Sequence, residues 1–203
     1  MSIVHRVFLT ILIGCSAALL TATRAQAVQS IIPPGGLHWG MQLEEVEDLF
    51  GVRSSPGDSI GVPFKRYYTY DLAPNDSLRI SIGSLLSRAI GHCEVAKIGI
   101  TVEIRTGAVI AILFDIDKRT FHFDDSVLTR LRSLYGTEAS REWEESKVAE
   151  THKFAWEARD SSSLDYDDFH CGSLNWGPRL WFRSSRWAEL NNEIYSKVVD
   201  RIE

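Results

Sequence analysis

An α+β fold, an antiparallel sheet with helices packed mainly on one face, is what this sequence predicts. Three observations carry that expectation. From Lys97 to Arg105, Ile98, Ile100, Val102 and Ile104 alternate with other residues at the period of a half-buried strand. Thr106-Gly107 then turns the chain into a second apolar run, Ala108 to Ile116, which makes a hairpin. The phrases Leu49-Phe50-Gly51 and Leu134-Tyr135-Gly136 each end a helical pattern and precede β-favouring sequence, as two diverged helix-plus-sheet units would.

The elements follow in order. Between Gly36 and Gly51, Leu43, Val46, Leu49 and Phe50 recur at helical spacing, and Gly51 supplies a left-handed stop. Ser54 to Gly61 reads as a loop, and aromatic Phe64 to Leu72 as a strand. Ala73-Pro74-Asn75-Asp76 is expected to turn into another strand at Ser77 to Ile82. Asp124-Asp125-Ser126 can cap a helix to Tyr135, with Val127, Leu128, Leu131 and Leu134 as its buried stripe. Thr151 to Arg159 and Leu174 to Ser184 read as strands. Arg186 to Ile202 reads as a closing helix with Leu190, Ile194, Val198 and Ile202 four residues apart.

The first 27 residues read as a secretory signal. Arg6 precedes an apolar run from Val7 to Leu20, and Ala25-Gln26-Ala27 fits the small-x-small cleavage pattern. That run is about 14 residues, short of the ~20 a permanent anchor needs. Leu12-Ile13-Gly14-Cys15 also resembles a lipobox, which would make Cys15 a lipid anchor; the apolar residues continuing past it favour plain cleavage. The expected organisation is a signal at 1–27, a flexible lead-in at 28–36 and one α+β domain at 37–203, working in the periplasm or outside the cell with no transmembrane span.

Of 22 Lys and Arg, Arg6 and Arg24 fall within the leader, against 27 Asp and Glu in the whole chain. Such an acidic balance argues against a nucleic-acid partner or an anionic membrane. Cleavage leaves Cys93 and Cys171, and an oxidising compartment favours pairing them. Closing that loop is worth about 4–5 kcal/mol in the chain-entropy picture. A thiol nucleophile or metal pair is the competing use, suggested by His92-Cys93 and His170-Cys171.

Gly36 to Gly51, with its Trp39-Gly40-Met41 turn before a short acidic helix, resembles the opening of the SmpA/OmlA envelope lipoproteins and of β-lactamase-inhibitor-like modules. The resemblance covers 16 residues of turn and helix. It implies a non-enzymatic protein that binds other proteins or assists outer-membrane assembly.

Chemistry-bearing clusters are few. Asp160 to His170 holds Asp165, Asp167 and Asp168, but lacks the central Gly and terminal Glu of a calcium loop, so it reads as a solvated acidic loop. No second well-spaced His supports a zinc site at His170. His92, His122 and His152 have no nucleophile-elbow context, and Glu144-Glu145 and Asp124-Asp125 are adjacent pairs unsuited to acid/base work. No catalytic residue, cofactor or metal is assigned. Trp176, Arg179, Trp181, Arg183 and Trp187 have the Trp/Arg composition of protein-binding hot spots and sugar platforms, with Leu180 and Phe182 expected on the opposite side of the strand; core packing of these aromatics is the favoured reading and a binding surface the alternative. The expected function is a non-catalytic envelope protein that binds another macromolecule, as inhibitor, immunity factor or assembly accessory. The alternative is a periplasmic hydrolase acting on cell-wall material through His170 and its neighbouring aspartates.

Overall fold

Among the described residues, eight antiparallel strands form a single sheet in the order β1-β2-β3-β4-β8-β7-β6-β5. This computed structural model describes residues 28–54, 59–62, 64–145, 149–171 and 174–199, with side chains at 59–62, 143–145, 149–150, 170–171, 174–176 and 197–199 left aside. The strands are β1 (Ser59–Val62), β2 (Lys65–Asp71), β3 (Val95–Glu103), β4 (Val109–Ile116), β5 (Ser140–Glu145), β6 (Ala149–Glu157), β7 (Ser163–Cys171) and β8 (Leu174–Arg183). The helices are α1 (Leu43–Phe50), α2 (Ser77–Ile90), α3 (Asp125–Tyr135) and α4 (Ser185–Val199).

The chain runs through one arrangement twice. A helix ending in Leu-aromatic-Gly is followed by a four-stranded meander, first α1 with β1–β4, then α3 with β5–β8. The last strands of the two meanders, β4 and β8, pair and fuse them into one sheet. Two helices fall outside this pattern: α2, inserted between β2 and β3, and α4, appended after both units.

Local chemistry sets the helix ends. Gly51 adopts φ 69° as the left-handed cap of α1. Asp124 caps α3 by accepting from the backbone N–H of Ser126 (2.8 Å) and Val127 (3.0 Å).

The segment expected to be a strand at Ser77 to Ile82 is the start of α2. Leu78, Ile80 and Ile82 mimic strand alternation, but Asp76 caps a helix by accepting from Leu78 N–H at 2.9 Å. In the helix, Ile82 is buried and Ile80 is 54 % exposed. Arg79, fully buried, ties the first turn of α2 to the end of β4 through Asp117, with Glu94 3.5 Å from its Nε.

Helices α1, α2 and α3 cover one face of the sheet. Phe50 of α1 meets Phe114 of β4 edge-on, Phe114 meets Phe182 of β8, and Phe182 meets Tyr135 of α3, with ring centroids 5.9, 6.2 and 6.1 Å apart. This aromatic chain runs the core continuously across the junction of the two units. Beneath α3, Phe123, Phe154, Trp156, Leu164 and Tyr166 extend it towards the far edge.

The lead-in expected to be flexible is instead anchored. Ile31 is fully buried, and its N–H donates to Ser162 Oγ at 2.7 Å. Arg159 N–H donates to Val28 O at 3.1 Å, and Trp39 Nε1 to Ile31 O at 2.8 Å. The first two bonds fasten residues 28–31 to the β6–β7 turn and the third ties them to Trp39, because a buried apolar side chain and paired backbone outweigh the turn-forming composition of the stretch.

A Cys93–Cys171 disulfide is likewise not formed. Cys93 is a free, buried thiol whose Sγ lies 3.7 Å from Gly83 O, while the Cys171 side chain lies outside the described residues. Sheet order supplies the reason. β4 and β8 separate β3, which follows Cys93, from β7, which ends at Cys171. Three strand spacings are about 14 Å, twice the ~7 Å that the Cα atoms of a bridged pair tolerate. The signal at 1–27, including Cys15, also lies outside the described residues. Among those described, no helix is long and apolar enough to cross a membrane.

Candidate functional site

The face of the sheet opposite α1–α3 carries side chains of a different kind. Because strand residues alternate, every partner of a core residue on one face has neighbours on the other, and cross-strand pairing aligns them into rows. One row runs Thr69, Gly99, Leu113, Trp181, Asp165, Ala155, Ser140 from β2 to β5. Small residues dominate it, and Leu113 and Trp181 supply its apolar floor.

The next row is a charge ladder. Asp71, Lys97, Asp115, Arg179, Asp167, Lys153 and Glu142 lie in register across seven strands, alternating in sign at every step. Lys97 reaches Asp71 at 3.0 Å, Arg179 Nε reaches Asp115 at 2.5 Å, and Lys153 reaches Glu142 at 3.5 Å. Cross-strand opposite charges favour this register. They also present paired charges of both signs along one wall of the row of small residues.

Together the two rows enclose a cavity of about 620 Å³, floored by Leu113, Trp181 and Ala155 and rimmed by Arg179, Asp167, Lys153 and Glu142. Asp165 sits inside it, bonded to Arg183. Burial pushes the Asp165 carboxyl above its ordinary range despite Arg183, and the nearby Asp167 adds to that rise.

Helix α4 occupies the neighbouring part of this face. Ser184, buried, donates N–H and Oγ to Ile110 O at 2.9 and 2.8 Å and so pins the β8–α4 turn onto β4. Trp187 and Leu190 then pack on Ile110 and Ala111, flanked by Phe64, Tyr67 and Trp181. Lys65, 2 % exposed, lies 3.7 Å from the centre of the Trp187 ring and donates to Asn191 Oδ1. Desolvation lowers its pKa. Arg186 bridges to Glu103 at 2.7 Å and to Glu189 at 2.9 Å.

Between α4 and the far strands lies a second cavity of about 630 Å³. It is lined by Ala188, Asn191 and Asn192 of the helix and by Ser140, Ala155 and Asp165 of the sheet. The two cavities share those three sheet residues, so they are parts of one trough.

The Trp/Arg cluster divides within this landscape. Leu180 and Phe182 are fully buried in the core, and Trp181 and Arg183 project on the other face, as strand alternation requires. Trp181 and Arg179 line the trough, and Arg183 bonds Asp165 at its edge with its guanidinium 4.9 Å from the Trp181 ring. Trp187 mainly packs α4 onto the sheet and is only 7 % exposed, with an edge on the second cavity. The Trp176 side chain lies outside the described residues.

Asp165, Asp167 and Asp168 were expected in a loop, but they belong to β7, whose alternate Leu164 and Tyr166 are buried. His92 and His122 are exposed, and His152 is buried against Phe123. The His170 side chain, on which the hydrolase alternative rests, lies outside the described residues. Among the described residues no three His, Cys, Asp or Glu side chains converge as metal ligands.

Leu113, Ser140, Lys153 and Ala155 were not singled out from the sequence, for they come together only through sheet order. Comparison with protein-family models, with curated proteins and with solved structures finds no match to this chain.

Proposed function

We propose that this is an exported, non-catalytic protein that docks a protein partner of the cell envelope on the open face of its sheet, as an inhibitor, immunity factor or assembly accessory. The observation that carries the reading is the trough over β8, β7, β6 and β5. It is an apolar floor centred on Trp181 beside a wall of alternating charges. Tryptophan is among the side chains that most often anchor a protein interface, here half-buried in the trough floor, and paired charges at its rim set register and exclude wrong partners. The leader at 1–27 supports an envelope location, and the resemblance of Gly36 to Gly51 to envelope modules supports a binding role.

Affinity capture from envelope extract tests the proposal, using the wild-type protein and Ala155→Arg as paired baits. Ala155 is half-buried in the trough floor, so an arginine there fills the trough without entering the core. A protein retained by the wild type and lost with Ala155→Arg is the expected result. Identical retention by both baits, or none by either, overturns the proposal.

A further inference from the structure

We infer that the occupant of the open trough is an amphipathic helix of the partner, seated beside α4 as a second helix on the same face. This rests on the docking face proposed above and adds what fills it. The sheet already carries one such occupant in cis. Helix α4 lies outside both helix-plus-meander units and sits on β4 through a short apolar stripe, Trp187 and Leu190, with Tyr67 of β2 and Trp181 of β8 packed at its sides. Polar contacts flank that stripe: Arg186 to Glu103 and Asn191 to Lys65. The face thus accepts a helix that presents an aromatic-aliphatic stripe edged by charge.

The uncovered remainder has the dimensions and chemistry for one more. β8, β7, β6 and β5 span three strand spacings, about 14 Å, and a helix with its side chains is about 10–12 Å across. The side of α4 turned to this space carries Ala188, Asn191 and Asn192, small enough for another helix to approach closely. Below it, Leu113 and Trp181, which also flanks Trp187, continue the apolar footing that Ala111 and Tyr67 give to α4. The wall alongside, Arg179, Asp167, Lys153 and Glu142, alternates in sign. That wall runs across the strands, so it meets the end of a helix lying along them, where charged side chains of the terminal turn find opposite charges.

The probe is a fluorescein-labelled peptide with the sequence of α4, Ser185 to Val199, titrated against the full-length protein by fluorescence anisotropy. Saturable binding is expected, weakened at least about tenfold by Ala155→Arg in the protein. Peptide carrying Trp187→Ala and Leu190→Ala is expected to weaken to a similar extent. Lys153→Glu, on the exposed rim, supplies a second variant free of any packing change, and a several-fold shift in affinity is expected from it.

Binding that survives both protein variants would place the peptide on the seat of the cis helix and overturn the inference. Failure of the peptide to bind also overturns it. If an Ala155-dependent partner is nevertheless captured from envelope extract, only the helical occupant falls; if none is captured, the docking face falls with it.

Discussion

Trp181 and Trp187 meet edge to face, their ring centroids 5.4 Å apart, at the line where the open trough stops and α4 begins. Trp181 comes from the second meander and Trp187 from the appended helix, so this contact joins the floor of the candidate site to its covered half. Lys65 on the Trp187 ring and Tyr67 at 6.3 Å complete the seat. Nothing from α1, α2 or α3 takes part in this cluster.

Because that seat is separate from the main core, Trp187→Ala should loosen α4 alone. Amide exchange across 185–199 is expected to accelerate at least about tenfold, a change of about 1.4 kcal/mol in local opening. Exchange in α2 and α3 should stay as in the wild type. Equal acceleration everywhere would mean that α4 is integral to the global fold.

The buried Arg79–Asp117 pair should make the protein acid-sensitive. Hydrogen bonds from Arg119, foremost, and from Arg79 hold the Asp117 carboxyl well below the usual carboxylate range despite its burial. A carboxyl depressed in the folded state stabilises fully above its unfolded value, about pH 4, and that contribution is lost as pH falls towards the lower folded value. Asp117→Asn leaves Arg79 without its buried partner and should cost about 3–5 kcal/mol at pH 7. Urea unfolding at several pH values checks this. The gap between variant and wild type should narrow only below about pH 4.

Gly83, mid-helix in α2, should refuse even alanine. Ala is the better helix former by about 1 kcal/mol, yet a Cβ at this position would overlap the Cys93 carbonyl. Gly83→Ala is therefore expected to destabilise by about 1–3 kcal/mol, the range for overpacking. A rise in melting temperature would show that α2 sits further from the start of β3.

Burial pushes the Cys93 thiol up to about 12, and the side chain is 1 % exposed. Iodoacetamide should leave Cys93 unmodified in the native protein and alkylate it once the chain unfolds without reductant. Peptide mass mapping reads both states. A Cys93 that resists alkylation after unfolding until a reductant is added would reinstate a disulfide.

Where local pattern and final environment coincide, the sequence is legible. In β3, Ile98, Ile100 and Val102 are buried as the alternation predicts, though a register shift at Thr101/Val102 breaks the pattern and Ile104, past the strand end, is 50 % exposed; α3 has both its Asp124 cap and its Val127, Leu128 and Leu131 stripe. The misread segments have local signals that tertiary context overrules. Leu78, Ile80 and Ile82 alternate like a strand, but the Asp76 cap and the Arg79–Asp117 pair fix a helix and leave Ile80 in solvent. In Asp160 to His170 the acidic composition masks the alternation of Leu164 and Tyr166, and Asp165 and Asp167 face the trough because their neighbours fill the core.

The trough itself has no sequence signature. Leu113 and Ser140 become neighbours of Trp181 only when β4 pairs with β8 and the second meander unrolls to β5. The charge ladder is invisible for the same reason: its seven members come from seven different strands, β2 to β8.

Among the described residues, a competing docking surface is the helical side, where Ile32 and Ile80 are about half exposed and a cavity of about 330 Å³ opens beside Leu85 and Leu134. Site-specific photocrosslinking in the native envelope separates the two most directly, with the photoreactive residue placed at Leu113 or Ala155 in the trough, or at Ile80 on α2. The account predicts a discrete crosslinked partner from Leu113 and Ala155 and none from Ile80. Crosslinking from Ile80 alone, or from none of the three, would contradict it.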